Sequence, residues 1–561
     1  MKAESLFLDE RRFLLGPWQA FERDVARLLL FHGFDDVRLV GGTGDRGGDV
    51  LGLKRGELWV FQCKHTTSSP PPRSAIREIV EAGKYYGAQR LAVAMSRPPN
   101  DAFLEERSHY SRMGLTIGVA DPAYLYREVR EAPEYPPSRR KLRDYQEDAF
   151  VRLRDAFVDT GKGQLVMATG LGKTIVMAET VADLLRDHLV QNDAALVLAH
   201  TREIVGQLHR QFWYQLPKWV PTHQMTEGEM PAYWEGITFA TIQSASSRVE
   251  DLPRFGLVLV DEAHHVGAQI FQDTLDRLDP PMVGGVTATP WRGDEFDIDQ
   301  VLGAPLVRIG IAEGLQRGFL TEADYRLLAD NLDWKFVQEA SRHKYSLRQL
   351  NRKLLIPTRD DEAAKIVSEV FHTEGRRGGI AFSPTILHAQ QFAGTLRAHA
   401  LRAEAVTSDM LPRERDLMMS RFRAGRMDIV VTVDLFNEGV DVPDVDIVVF
   451  MRATHSRRIF VQQLGRGLRI SPGKDKVVVL DFVSDLRRVA EVIELDRAVR
   501  GRAVEHLGLG PRLVEFRDAS AGGFLREWML DQASLILREG DPDLDVPRFE
   551  FPEPPQPGDV E

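Results

Sequence analysis

At 561 residues the chain is too long for a single hydrophobic core, and three or four domains are expected. With 43% hydrophobic and 28% charged residues, no apolar run near the roughly 20 residues of a membrane span and no signal-peptide core after Met1, it reads as a water-soluble globular protein without a membrane partner. The net charge of −11 excludes a histone-like coat but not a local basic channel, and a lone cysteine, Cys63, excludes a disulfide framework or multi-cysteine zinc site and points to the cytoplasm.

The first elements fall between residues 18 and 130. Phe21, Val25, Leu28 and Leu29 recur at helical spacing and form an apolar stripe with Glu22 at its edge. Gly44-Asp45-Arg46-Gly47-Gly48-Asp49-Val50 is a turn leading to the strand Leu58–Lys64, in which Gln62 and Lys64 share one face. Cys63 points to the other face, a packing position. Asp49 on the neighbouring strand can meet Gln62 and Lys64, and a carboxylate, an amide oxygen and an ammonium suit Mg²⁺-assisted phosphodiester hydrolysis. Lys64 would stabilise the charge that develops on phosphorus. A loop at Pro70-Pro71-Pro72, a helix over Glu78–Tyr86 and a strand at Leu91–Ala94 follow, and Pro133–Ser138 reads as a linker.

Beyond the linker, short apolar runs alternate with amphipathic stretches. Leu196–Ala199, Leu257–Val260, Ile429–Val431, Ile447–Phe450 and Val477–Leu480 fit buried parallel strands joined by crossover helices, an α/β pattern with room for two sheets. Met167-Ala168-Thr169-Gly170-Leu171-Gly172-Lys173-Thr174 follows such a strand and opens a helix. Its backbone N–H groups can cradle phosphates, with Lys173 on the β- and γ-phosphates and the Thr174 hydroxyl on Mg²⁺. Asp261-Glu262-Ala263-His264 ends another strand, with Asp261 as a Mg²⁺ ligand and Glu262 orienting and deprotonating the attacking water. Arg466 and Arg469, three apart in Gln462-Gln463-Leu464-Gly465-Arg466-Gly467-Leu468-Arg469, share a helix face and suit arginine fingers.

Taken in order, these motifs resemble superfamily 2 helicases, in the branch of type I and type III restriction motor subunits and related DNA-repair helicases. The resemblance covers about Arg139 to Val483. It implies an adenine-reading motif in Leu142–Gln146, with Arg143 and Gln146 at the base, and nucleotide contacts from Thr169, Gly170, Gly172, Lys173, Thr174, Asp261, His264, Gly439, Asp441 and Gln462. It also implies strand-gripping residues Thr201, Arg202, Thr241, Gln243, Ser383 and Thr432, and a motif at Thr287-Ala288-Thr289-Pro290 that couples hydrolysis to movement. The front segment resembles the Mrr-like branch of PD-(D/E)xK restriction endonucleases, with Glu22, Asp49, Gln62 and Lys64 as catalytic set and Asp49 and Gln62 as metal ligands. Gln62 stands where the general family pattern has an acid.

The expected architecture is α/β: two RecA-like parallel-sheet lobes preceded by a restriction-endonuclease-like α/β domain. The bounds are 1–132 for the nuclease domain, 133–138 for the linker, 139–310 for lobe 1 and 311–490 for lobe 2. A helical extension at 491–540 and an acidic, proline-rich tail at 541–561, a candidate protein-binding segment, complete the chain. The expected activity is ATP-driven DNA translocation or unwinding fused to Mg²⁺-dependent cleavage, in restriction or repair. A motor with a non-cleaving DNA-binding front domain and an RNA-stimulated ATPase stay open as alternatives.

Overall fold

The computed structural model describes residues 6–41, 47–226, 228–288, 297–327, 360–433, 445–451, 467–471 and 473–482. The chain divides into two compact units, Met1–Met167 with Gly172–Arg308, and Ala168–Leu171 with Ile309–Glu561. Among the described residues no helix is long and apolar enough to cross a membrane.

The first unit holds two sheets. The front sheet follows α1 (Glu10–Leu14) and α2 (Trp18–Phe31) and runs β1 (Asp35–Leu39), β2 (Val50–Lys54), β3 (Glu57–Lys64), β4 (Arg90–Met95), β5 (Ile117–Ala120) in spatial order. β2 and β3 pair antiparallel through a tight hairpin whose central residues, Arg55 and Gly56, both have positive φ (54° and 80°), the geometry that matches strand twist. β3 and β4 pair parallel, so α3 (Ser74–Tyr86) must cross over between them and lie on the sheet. Helices α4 (Asp101–Arg112) and α5 (Pro122–Glu131) complete the domain.

The apolar stripe of α2 packs on this sheet as its spacing predicts: Phe21, Val25, Leu28 and Leu29 join Val50, Phe61 and Ala94 in one core. The helix nevertheless buries eleven of its 14 residues, because its charged side is covered as well. There it meets the second sheet of the unit. Arg27, fully buried, donates to the carbonyls of Val220 (2.7 Å) and Pro217 (2.9 Å). Arg12, equally buried, is ion-paired with Asp24 and donates to the Thr222 carbonyl at 3.2 Å, and Arg23 pairs with Glu229. Taking these charges out of water is costly, and the carbonyl bonds and paired carboxylates offset that cost.

The segment 133–138 is fastened rather than free. Lys218 donates its backbone N–H to the Glu134 carbonyl and its Nζ to the carbonyls of Arg130 and Ala132. Arg139 lies 3.8 Å over the Tyr135 ring and binds Glu179 with both Nε and Nη2.

The second sheet of the first unit follows α6 (Asp144–Thr160). Its strands are β6 (Lys162–Met167), β7 (Ala194–Ala199), β8 (Thr222–Met225), β9 (Gly236–Thr241), β10 (Leu257–Asp261), β11 (Met282–Thr287) and β12 (Pro305–Ile309), in the order β12-β6-β11-β10-β7-β9-β8. The pairings from β6 through β8 are all parallel, with α7 (Lys173–Arg186) and α8 (Arg202–Trp213) among the crossovers. Every residue of β7 and β9 is buried; in β7 the run is accordingly apolar throughout rather than alternating, while β9 also buries Thr238 and Thr241.

The second unit carries the other parallel sheet. Its strands are β13 (Glu322–Leu327), β14 (Gly379–Phe382), β15 (Ala403–Ala405), β16 (Ile429–Thr432), β17 (Ile447–Phe450) and β18 (Lys476–Asp481), in the order β13-β18-β17-β14-β16-β15. All five pairings are parallel. The helices Asp360–Thr373 and Ile386–Ala398 pack Val367, Phe392 and Leu396 against Val431, Val449 and Leu480. The α/β class with two parallel-sheet lobes behind a smaller mixed sheet is therefore what the structure shows.

Candidate active sites

In the first unit the strand order sets the phosphate site. β11 lies between β6 and β10, so the loop after β6, the carboxylates ending β10 and Thr287 ending β11 come together at one sheet edge. Strand carboxyl ends are where such sheets bind ligands. Gly170 and Gly172 both have positive φ (94° and 81°), which turns the chain sharply into α7. A Cβ on Gly172 would lie 2.3 Å from Gln146 Nε2, so glycine is required there by close approach as well as by φ. Gln146 thus packs on the phosphate loop itself, and its Oε1 accepts the Arg143 N–H at 3.0 Å, closing the start of α6. Lys173 Nζ donates to the Met167 carbonyl at 3.1 Å, which holds the ammonium across the loop. Thr169 and Thr174 are half-buried beside it in sequence.

Asp261 and Glu262 are adjacent carboxylates in little water. Burial and the Glu262 charge push Asp261 up to about 7. Glu262 is driven the other way, to about 2: its own burial is outweighed by the hydrogen bond from His264 and the charge of Lys173. Two coupled acids with separated affinities for a proton can divide labour, one as cation ligand and one as a standing base. Glu262 has φ 52°, a left-handed conformation for a non-glycine residue, and such strain persists where surrounding structure holds it. His264 Nδ1 lies 3.1 Å from Thr287 Oγ1 and 3.3 Å from Glu262 Oε2, joining the β10 and β11 ends.

Of the expected strand-gripping residues, Thr201 and Thr241 cap helices. Thr201 Oγ1 accepts from Ile204 N, and Thr241 Oγ1 accepts from Ser244 N. Arg202 and Gln243, next to these caps, are exposed. Ser383 and Thr432 sit side by side at the ends of β14 and β16 with Ser383 N–H bonded to the Thr432 carbonyl, and both side chains are fully buried. Ser383 Oγ faces His388 Nδ1 at 3.1 Å, so neither hydroxyl is presented to solvent. Arg469 is half-buried, and its carbonyl accepts from Thr321 and Lys474. Arg466, Gln462, Gly439, Asp441 and Thr289 lie outside the described residues, as do Gly44, Asp45, Arg46, the extension 491–540 and the tail.

The front site gathers Glu22 of α2, Asp49 before β2, and Gln62 and Lys64 of β3. Asp49 Oδ2 accepts the Cys63 N–H at 2.6 Å, which fixes this carboxylate against β3 between Gln62 and Lys64. A methyl group built on Gly41 would lie 3.1 Å from Glu22 Oε2 and 3.2 Å from Asp49 Oδ1. The two carboxylates therefore approach one space beside Gly41, into which a methyl group would press. Gln62 is 1% exposed, and its Oε1 has no hydrogen-bond partner among the described residues. A buried acceptor without a donor is costly unless a cation or water meets it. Among the described residues no cluster of three or more His, Cys, Asp and Glu side chains is placed to hold a metal. Cys63 packs in the domain core, where burial and the nearby Asp49 and Glu22 charges push its thiol well up.

Two residues of this site carried no signal in the sequence. Gly41 is one. The other is Glu78 on α3, whose Oε2 accepts from Lys64 Nζ at 2.7 Å and from Gln62 Nε2 at 2.5 Å.

Three family descriptions match the chain. "Restriction endonuclease" covers residues 16–106, "Type III restriction enzyme, res subunit" covers 139–292, and "Helicase conserved C-terminal domain" covers 362–471. The chain joins a helicase core to a restriction-endonuclease-type domain. Among curated relatives it is 25% identical over 359 residues to Saccharomyces cerevisiae IRC3, named as an ATP-dependent helicase, across 61% of this chain and 51% of that protein. It is 25% identical over 430 residues to the DNA 3′-5′ translocase XPB2 of Sulfurisphaera tokodaii, across 70% of this chain and 94% of that one. With the type I restriction enzyme EcoKI endonuclease subunit of Escherichia coli it shares 25% over 435 residues, 64% of this chain and 36% of the other. The matched region spans about half the length of the first of these relatives. A solved structure titled "ATP-dependent Type ISP restriction-modification enzyme LlaBIII bound to DNA" shares the fold, with a TM-score of 0.54 and 19% identity over 93% of this chain and 42% of that one.

Proposed function

We propose that this helicase-type enzyme is a DNA-stimulated ATPase that translocates or unwinds DNA, and that its front domain cuts DNA with a divalent cation, in restriction of foreign DNA or in repair, in the cytoplasm. For the motor, the supporting observation is the convergence of Lys173, Asp261, Glu262 and Thr287 on adjoining strand ends. For the nuclease, it is the buried Gln62 Oε1, unpartnered among the described residues, on the strand that holds Asp49, together with the approach of Glu22 and Asp49 to one space beside Gly41.

Thr174 and Asp261 would hold Mg²⁺ with ATP, and Asp49, Gln62 and Glu22 would hold Mg²⁺ in the front domain. At either place the cation supplies charge neutralisation and a more acidic water. The residues of the chain do the rest. Lys173 exchanges the Met167 carbonyl for phosphate oxygens, and the ionised Glu262 orients the attacking water and accepts its proton. Arg469 and Arg466 would stabilise the charge on the γ-phosphate. In the front domain Lys64 faces the negative charge that builds on phosphorus during cleavage.

One panel tests both activities. ATP turnover is measured with single-stranded, duplex and forked DNA and with RNA, and plasmid integrity is followed with Mg²⁺ or Mn²⁺, with and without ATP. Stimulation by DNA, and cutting that Asp49→Ala removes, are expected. Intact linear, circular and forked DNA under every condition, modified bases included, would leave a motor with a non-cleaving front domain. Stimulation by RNA alone would overturn the DNA assignment.

A further inference from the structure

The front site has a residue that neither its motif nor its chemistry announces. Glu78 lies in the second turn of α3, the crossover helix from β3 to β4, and one of its oxygens accepts hydrogen bonds from both Gln62 and Lys64. A carboxylate at this distance from Lys64 is ionised and can only accept, so the Gln62 amide atom facing it must be nitrogen. The amide oxygen is then turned the other way. That oxygen is Gln62 Oε1, buried and unpartnered among the described residues, on the strand position next to the Asp49 contact.

The position of Glu78 is itself fixed. Gly47, with φ 81°, packs on α3 so closely that a Cβ there would meet Glu78 Cβ at 2.7 Å and its carbonyl oxygen at 2.8 Å. The glycine turn that delivers Asp49 thus rests on the backbone of Glu78, and helix and turn cannot shift independently.

We propose that Glu78 is a positioning residue for the front site, holding the Gln62 amide with its oxygen toward the cation and tethering the Lys64 ammonium beside it. In this family-like arrangement the amide replaces an acid, and an amide, unlike a carboxylate, has a wrong way round: rotated by half a turn it presents N–H donors to a cation. Glu78 removes that state. The inference rests on the reading of the front domain as a cation-dependent nuclease.

The test uses the full chain without nucleotide and Mn²⁺ as the probe. Calorimetric titration of wild-type protein is compared with Asp49→Ala, which defines binding elsewhere. Glu78→Ala is expected to weaken the Asp49-dependent Mn²⁺ binding by roughly tenfold or more, the usual effect of losing a group that orients a ligand. The Mn²⁺ concentration for half-maximal cleavage should rise by the same factor. Glu78→Asp, which keeps the charge on a shorter arm, should recover part of the loss, and unchanged thermal unfolding of these variants controls for folding. Wild-type Mn²⁺ affinity and metal dependence in Glu78→Ala would overturn the proposal while leaving the nuclease reading intact. If wild-type protein binds no more Mn²⁺ than Asp49→Ala and cuts nothing, the nuclease reading fails and the role of Glu78 with it.

Discussion

The front site and the phosphate site reach similar chemistry by different construction. The phosphate site is assembled from continuous segments: Gly172–Thr174 opens one helix, and Asp261-Glu262 ends one strand. Each side chain there is aimed by its own local backbone. The front site draws Glu22, Asp49, the Gln62–Lys64 pair and Glu78 from four places, and long-range bonds such as Asp49 to Cys63 and Glu78 to Lys64 set their aim. Local construction makes a site recognisable by spacing, whereas distributed construction leaves its supports unmarked.

The largest expected effect tests the locally built site. Lys173→Ala and Glu262→Gln should each lower DNA-stimulated ATP turnover by roughly 10²–10³-fold or more, since each removes a charge that faces the reacting groups. They should part in binding, with Glu262→Gln retaining nucleotide and Lys173→Ala losing it. Appreciable turnover in either variant contradicts the roles given to these residues.

The same contrast governs what could be read in advance. Both parallel sheets were legible because fully buried strands such as Leu196–Ala199 and Ile447–Phe450 are continuous apolar runs. So was the shared face of Gln62 and Lys64, which follows from strand periodicity alone. Glu78 was not, because a glutamate on an amphipathic helix 14 residues past Lys64 looks like any solvated charge. The charged side of α2 carried no mark of its burial either. Arg23, Asp24 and Arg27 interrupt the apolar stripe as solvated charges would, yet they are buried, Arg23 against Glu229, Asp24 against Arg12 and Arg27 against the carbonyls of Pro217 and Val220. Arginines buried by docking of two domains leave the same periodic pattern as arginines in water, so the seam is invisible until both partners are placed.

That seam gives the second test. Asp24 is 1% exposed and paired with the fully buried Arg12, so Asp24→Ala leaves a guanidinium without its counter-charge. Breaking such a pair costs about 3–5 kcal/mol. The urea midpoint of the first unit should drop accordingly, and amide exchange should rise in both α2 and the strand Thr222–Met225. Arg90→Ala, which breaks an exposed pair with Glu57 in the same domain, should leave both measurements nearly unchanged. Equal behaviour of the two variants would mean that the seam contributes no more than a surface contact.

A smaller effect is expected at Gly41. Alanine there would place its methyl group 3.1 Å from Glu22 Oε2 and 3.2 Å from Asp49 Oδ1, between the carboxylates rather than against them. Because Gly41 has no special φ, the backbone should tolerate the change, and the cost falls on the site. Asp49-dependent Mn²⁺ binding should weaken by roughly tenfold, comparable to losing a ligand-orienting contact. Unaltered Mn²⁺ binding would show that the two acids do not share one cation.

The smallest expected effect is one of pH, and it separates the two adjacent acids of the phosphate site. Asp261, pushed up to about 7 by burial and the Glu262 charge, takes a proton as pH falls through neutrality. A protonated carboxyl is a poor ligand for Mg²⁺, so the Mg²⁺-dependent part of ATP affinity should decline on the acid side of about 7, by at most tenfold per pH unit. Glu262, held at about 2, stays charged throughout and should add no acid limb of its own. Binding of a fluorescent ATP analogue at pH 8, 7 and 6, with Mg²⁺ and with chelator, reads the difference directly. A loss of up to about tenfold between pH 8 and 6 is expected with Mg²⁺, little change with chelator, and no Mg²⁺-linked slope in Asp261→Asn. A flat profile in the wild type would place the shared proton elsewhere and remove the basis for dividing ligand and base between these two residues.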